Sequence, residues 1–80
     1  MARYFFHIVN GEFIPDLEGM DCKNGDAVKA EAVKIAGAMI HDQGANLWKT
    51  ARLDMFVCDG KQKTHLKLSF CAEDLTGELD

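Results

Sequence analysis

The sequence predicts a two-layer α+β domain in which one long helix packs on a three- to four-stranded antiparallel sheet, in the order β-(β)-α-β-β. Three patterns predict it. Apolar residues recur at helical spacing over residues 28–40, and apolar and polar residues alternate over 52–59 and again over 64–70. An aromatic and β-branched run over residues 3–9 supplies a further strand. Because the helix has one apolar stripe, it can cover one face of such a sheet, which gives two layers.

The first predicted strand covers residues 3–9 and ends at the turn signal Asn10-Gly11. This turn allows Phe13–Ile14 to pair back as a short second strand, and Pro15 limits that pairing to a strand end. An acidic loop follows, and we expect residues 20–23 to be extended before the helix begins.

The helix is predicted to run from its N-cap, Asn24, to a stop at Gly44. Asp26 lies in the first turn, where a negative charge is favourable. Gly37 lies inside the helix, where glycine costs up to about 1 kcal/mol relative to alanine, and we expect it to allow close approach to the sheet. The apolar stripe consists of Val28, Ala32, Ile35, Ala36, Met39 and Ile40.

The two alternating runs are predicted to form a hairpin. A two-residue loop at Gly60-Lys61 would set Asp54 opposite Lys67, so that opposite charges meet across the strands. A register shifted by two residues keeps the same faces together but sets Asp54 opposite Ser69. We favour the first register because it pairs the charges.

Composition limits the function classes. Hydrophobic residues make up 48% of the 80 residues, which is typical of one folded domain over residues 1–80, with an acidic tail at 73–80 that we expect to be frayed. The 13 acidic against 9 basic residues give a net charge of -4, which argues against a nucleic-acid partner. No apolar run has the length of a signal peptide or of a membrane span, so we expect no membrane association. With three cysteines and no disulfide framework, a cytoplasmic location is expected.

Metal or nucleophilic chemistry is not expected. Good metal sites show closely spaced ligand pairs, and the histidines and cysteines of this chain are scattered. The residues at issue are His7, Cys22, His41, Cys58, His65 and Cys71. Since no cysteine or serine is placed beside a base with an orienting group, we predict no cofactor, no metal and no enzymatic activity.

The outer face of the predicted sheet is the candidate interface. It would carry Phe5, His7 and Val9 from the first strand, with Phe56 and His65 opposite each other on the hairpin. A contiguous aromatic patch of this kind usually marks an interface. The sequence therefore predicts a small non-catalytic protein-interaction or regulatory module whose partner is another protein or a second copy of itself.

An alternative is a small-ligand-binding domain. Its cleft would lie at the end of the helix, beside His41 and the single tryptophan, Trp48. This alternative requires a closed pocket with inward polar groups near Trp48, whereas the interface hypothesis requires a self-complementary apolar sheet face.

Four segments in order carry a resemblance to a known family. They are the opening Arg3-Tyr4-Phe5-Phe6-His7, the acidic loop Asp16-Leu17-Glu18-Gly19, the helix start Ala27-Val28-Lys29-Ala30-Glu31-Ala32, and the hairpin with its Asp59-Gly60 turn that ends Phe70-Cys71-Ala72-Glu73. With this order the chain resembles a family of small bacterial proteins classed as a domain of unknown function. The family pattern often has a proline and an aspartate at the helix entry, where this chain has Lys23 and Asn24. The resemblance implies the architecture and carries over no catalytic residue.

Overall fold

The computed structural model describes residues 2–79 and shows one helix packed on a five-stranded antiparallel sheet. The α+β prediction is confirmed, with one strand more than the upper prediction. The elements in chain order are β1 (Ala2–Val9), β2 (Phe13–Ile14), β3 (Met20–Cys22), α1 (Gly25–Gln43), a 3-10 helix (Gly44–Lys49), β4 (Arg52–Asp59) and β5 (Thr64–Cys71).

Strand β1 organises the sheet, whose order is β2-β1-β4-β5. One edge of β1 pairs with β4 over six residues, Tyr4 to Val9. Its other edge is shared, because β2 pairs with Ile8 and Val9 while β3 pairs with the first residues of the strand. The predicted hairpin at Asn10-Gly11 is therefore confirmed, with Val9 opposite Phe13.

Helix α1 begins and ends where the sequence predicts. The Asn24 side chain accepts a hydrogen bond from the Ala27 N–H at 2.8 Å, which satisfies one of the free donors of the first turn. At the other end, Gly44 takes a φ of 53° and its N–H bonds the Ile40 carbonyl. The expectation for Gly37 is wrong, because a Cβ atom built there meets nothing within 4 Å. Gly37 borders an open groove and does not contact the sheet closely.

The core lies between α1 and the inner face of the sheet. Val28, Ala32 and Ala36 of the helix are buried against the sheet. Leu47 of the 3-10 helix is buried at one end of this core. The strand residues of this core are Phe6 and Ile8 on β1, Cys22 on β3, and Leu53, Met55 and Val57 on β4. Alternation along the strands is thus confirmed on the inner face.

The hairpin register is the shifted one, so the favoured register is wrong. Asp54 lies opposite Ser69 and Phe56 lies opposite Lys67. The reason lies in the turn, which closes through the Asp59 N–H to the Lys63 carbonyl at 3.0 Å and so has three residues in its loop. Gln62 takes the left-handed φ of 67° that such a loop requires at its last position.

A second irregularity completes the shift. Val57 pairs with Leu66 and Cys58 pairs with Thr64, so His65 is an extra residue, a β-bulge in β5. The three-residue loop and the bulge together move the register by two residues, which preserves the inner and outer faces.

Within the described residues 2–79, no helix is both long and apolar enough to cross a membrane.

Candidate interaction face

The outer face of the sheet carries a row of apolar and aromatic side chains across three strands. His7 of β1 lies opposite Phe56 of β4, and Val9 lies opposite Phe13 of β2. Helix α1 packs on the other side of the sheet. We use the term aromatic face for Phe5, His7, Val9, Phe13 and Phe56. Phe13 is 60% exposed, and the other four residues are half-buried.

The rings of the aromatic face contact one another. The ring planes of Phe5 and His7 are 7° apart with centroids at 6.4 Å, and Phe13 is tilted against His7 at 5.7 Å. The Lys67 Nζ lies 5.5 Å from the centroid of Phe56, in the position of a cation–π contact. Ring contacts therefore join Phe5, His7 and Phe13 into one surface, and Lys67 covers Phe56 beside it.

A loop fixes the position of His7. The Asp16 N–H donates to Nδ1 of His7 at 3.1 Å, so Nδ1 is the acceptor that ties the ring to the loop. The Asp16 carboxylate in turn accepts from the N–H groups of Phe6, Glu18 and Gly19 at 3.0–3.1 Å. Burial raises the pKa of Asp16, but these backbone hydrogen bonds outweigh it, and the net pKa is lowered. The loop therefore carries a fixed negative charge beside the aromatic face.

A polar network borders the aromatic face on β4. Asp54, only 9% exposed, accepts from the Ser69 hydroxyl at 2.6 Å and from Arg52 at 2.8 and 3.1 Å. The hydrogen bond from Ser69 and then those from Arg52 lower the pKa of Asp54, and Asp54 raises the pKa of Arg52. Asp54 therefore links β4 to β5 through Ser69 and holds the Arg52 guanidinium beside it.

His65 does not lie on the aromatic face, which corrects the candidate interface. The bulge brings its Nε2 to 2.8 Å from Oδ2 of Asp59 and its ring edge-on to Tyr4 at 6.1 Å. Tyr4 belongs to the helix side of the sheet, where it packs against the core. The hydrogen bond from His65, with those from the Lys63 and Lys61 N–H groups, lowers the pKa of Asp59 to about 2. His65 thus stabilises the turn. The position opposite Phe56, which was predicted for His65, is occupied by Lys67.

The three cysteines are free and apart. Cys22 is buried, and burial raises the pKa of its thiol. Cys58 lies 3.3 Å from the Thr64 hydroxyl, and Cys71 accepts from Arg52 at 2.9 Å, so these two lie at opposite ends of the β4–β5 ladder. Among residues 2–79, no three His, Cys, Asp or Glu side chains are grouped to hold a metal ion.

The structure does not bring His41 and Trp48 into one cleft. His41 is highly exposed and lies 3.7 Å from Asp42 at the end of α1. Trp48, 54% exposed, lines an open hollow of about 670 Å³ with Ala45 and residues of the C-terminal tail. The predicted ligand cleft therefore has a different lining, which includes the exposed Leu75 and Leu79.

Sequence reasoning missed two residues of the site. Phe13 belongs to the aromatic face because it pairs with Val9, and the predicted hairpin at Asn10-Gly11 contained this information. The sequence predicts Asp16 only as part of an acidic loop. Its hydrogen bonds to the sheet edge depend on a tertiary contact for which the local pattern gives no signal.

Residues 3–71 match the family described as a domain of unknown function (DUF6894). The match covers the helix, strands β2 to β5 and all of β1 except Ala2, and it ends at the last residue of β5. No curated protein matches the chain, and no solved structure matches it either. The comparisons therefore support the family suggested by the four sequence segments.

Proposed function

This chain belongs to the DUF6894 family, and we propose that it acts as a small, non-catalytic protein-interaction module whose aromatic face packs against the same face of a second copy. The observation that carries the proposal is the continuity of that face across β2, β1 and β4, on the side of the sheet opposite to α1.

Exposed apolar groups support an interface on this side. Phe13 is 60% exposed on the aromatic face, and Leu17 is 86% exposed on the loop beside it. Phe5, His7 and Leu17 line an open hollow of about 410 Å³ that ends at the Asp59 turn. Contiguous apolar surface with such a hollow is typical of sites that receive side chains from a protein partner.

A second copy is the partner that the size of the domain favours. An 80-residue chain supports only a small core, and packing two sheets face to face buries apolar area that one copy leaves in water. Two-fold pairing of identical faces is also the commonest form of self-association. The polar groups near the face are engaged with one another, so the proposal assigns them to structure and not to catalysis.

Light scattering from low to high micromolar concentration tests the proposal. The wild-type mass should rise with concentration, and Phe13→Ser and Phe56→Ser should each lower the associated fraction. Ile14→Ser is the matched control, because Ile14 is adjacent to Phe13, is 42% exposed and lies on the other face of the sheet. Circular dichroism checks that each variant is folded. Equal effects of Phe13→Ser and Ile14→Ser, or a monomer at every concentration, would contradict self-association through this face.

A further inference from the structure

A second surface lies between α1 and the free edge of β5. β5 is the last strand of the sheet, and within residues 2–79 no strand pairs with its outer edge. Its inward side chains Leu66, Leu68 and Phe70 are only half-buried. An open groove of about 240 Å³ runs beside Leu68 and Phe70, walled on the helix by Val33, Ala36, Gly37 and Ile40.

This groove is apolar and accessible. Val33 is 64% exposed on its wall, and the absence of a side chain at Gly37 leaves space there. An exposed strand edge beside an apolar groove is the arrangement that accepts an added strand: the backbone pairs with the edge, and alternate side chains enter the groove. The added strand must therefore be apolar on one side only.

The C-terminal tail has that pattern. Leu75 and Leu79 are 83% and 89% exposed, so one copy of the chain leaves both almost entirely in water. In an extended conformation, side chains alternate, so Leu75, Gly77 and Leu79 would share one side. The other side would carry Asp74, Thr76 and Glu78.

We propose that the tail of a second copy adds to the edge of β5 as an antiparallel strand. One register matches on both faces. On the helix side of the sheet it sets Leu75 opposite Phe70, Gly77 opposite Leu68 and Leu79 opposite Leu66. On the outer side it sets Thr76 opposite Ser69 and Glu78 opposite Lys67. Apolar residues meet apolar residues, hydroxyls meet hydroxyls, and opposite charges meet, as cross-strand energetics favour. A two-residue shift in one direction would instead set Glu73 opposite Phe70.

A second copy fits this register better than the tail of the same chain. To fold back on its own β5, the tail would need a two-residue loop of Ala72 and Glu73, whereas such loops require positive φ and favour Gly, Asn or Asp. The Ala72 N–H also bonds the Ala51 carbonyl at 2.9 Å, and the Asp74 carboxylate holds a turn with the Gly77 N–H at 2.8 Å. These contacts lead the chain past the end of β4 to the hollow beside Trp48. Reciprocal exchange of tails between two copies gives a closed two-fold pair.

Charge reversal tests the register directly. Glu78→Lys and Lys67→Glu should each weaken association by roughly tenfold, since each places like charges opposite one another twice per pair. The double variant should restore the affinity of the tail contact, measured in the Phe13→Ser background so that the contact of Lys67 with Phe56 on the aromatic face does not contribute. Glu73→Lys is the matched control, because it makes the same charge change in the tail at a position without a cross-strand partner in this register. Leu79→Glu should abolish the contact without affecting the fold, as the Leu79 side chain is exposed in one copy.

Two readouts are needed, the mass by light scattering and the fluorescence of Trp48. The variants that break the contact should halve the assembly mass, and association should change the Trp48 emission because the tail leaves its hollow. Three results would overturn the proposal: Glu78→Lys indistinguishable from Glu73→Lys, a double variant without rescue, or a tail that docks in a protein that stays monomeric. Phe13→Ser should leave the rescue unchanged, so a failure of the aromatic face and a failure of the tail exchange give different results.

Discussion

The carboxylate of Asp16 accepts a hydrogen bond from the backbone N–H of Phe6 at 3.1 Å. Phe6 lies in the gap between the segments of β1 that pair with β2 and with β3. A side-chain oxygen therefore takes the place that a strand carbonyl would occupy, and it satisfies a backbone donor beside the core. Asp16 also positions His7, because the Asp16 N–H donates to the His7 ring. Asp16 therefore links the sheet edge to the aromatic face.

Asp16→Ala should lower the free energy of unfolding by about 1–3 kcal/mol, because three backbone N–H groups lose their acceptor. Urea unfolding followed by circular dichroism measures the change. Asp16→Asn keeps one acceptor oxygen and should cost less than Asp16→Ala. If Asp16→Ala matched the wild-type midpoint, the proposed role of the carboxylate at the sheet edge would be wrong.

Gly19→Ala should destabilise the fold by roughly 1–2 kcal/mol or more. Gly19 has a φ of 73°, and a Cβ atom there would lie 2.8 Å from the Tyr4 carbonyl oxygen and 2.8 Å from the Phe5 ring. The backbone oxygen cannot move without disturbing the pairing of Tyr4 with Met20. Thermal unfolding should show a lowered midpoint, and an unchanged midpoint would show that the loop relaxes without cost.

Gly37→Ala should have the opposite effect and raise the free energy of unfolding by about 0.5–1 kcal/mol. The position is inside α1, its φ is not in the left-handed region, and a Cβ atom there meets nothing within 4 Å. Alanine then gains helix propensity and reduces the entropy of the unfolded chain. The same thermal measurement serves both glycines, and destabilisation by Gly37→Ala would mean that the groove closes on this position in solution.

The sequence was sufficient for the elements and the caps because those signals are local. Asn24 and Gly44 act where their side-chain chemistry and backbone freedom predict, and the helical stripe selects the inner face of the sheet. The register depends on the loop and on the bulge, because the loop has one residue more than predicted and the bulge at His65 adds one more. Gln62 shows this difference, since it adopts a left-handed φ that its residue type does not favour.

The location of His65 could not be predicted for the same reason. Alternation places it on the outer face, but the bulge adds one residue to β5 and turns its ring to Asp59 and Tyr4. For Asp54 the sequence did offer the observed pairing, as one of two registers. Its pairing with Ser69 belongs to the second of the two open registers, and in that register the Ser69 hydroxyl donates to Asp54 at 2.6 Å beside the hydrogen bond from Arg52.

Ser69→Ala and Asp54→Ala test that network. Asp54→Ala should cost roughly 1–3 kcal/mol, because the mostly buried carboxylate holds the Ser69 hydroxyl and the Arg52 guanidinium across two strands. Ser69→Ala removes only one of these hydrogen bonds and should cost about 1 kcal/mol. Urea midpoints give both values, and a larger loss for Ser69→Ala than for Asp54→Ala would contradict the assignment of Asp54 as the centre.

Stability should fall in acid between about pH 4 and pH 2. The pKa of Asp59 is about 2 in the folded chain and near 3.8 for a free carboxyl, so the folded state favours the ionised form. Such a group stabilises the fold fully above its unfolded pKa, and this stabilisation is lost as the pH falls through the folded pKa. The lowered pKa values of Asp16 and Asp54 act in the same direction. Asp59→Asn cannot titrate, so its urea midpoint should fall less steeply over this range than that of the wild type. Parallel curves for the two proteins would show that the bond between His65 and Asp59 does not contribute to the acid dependence.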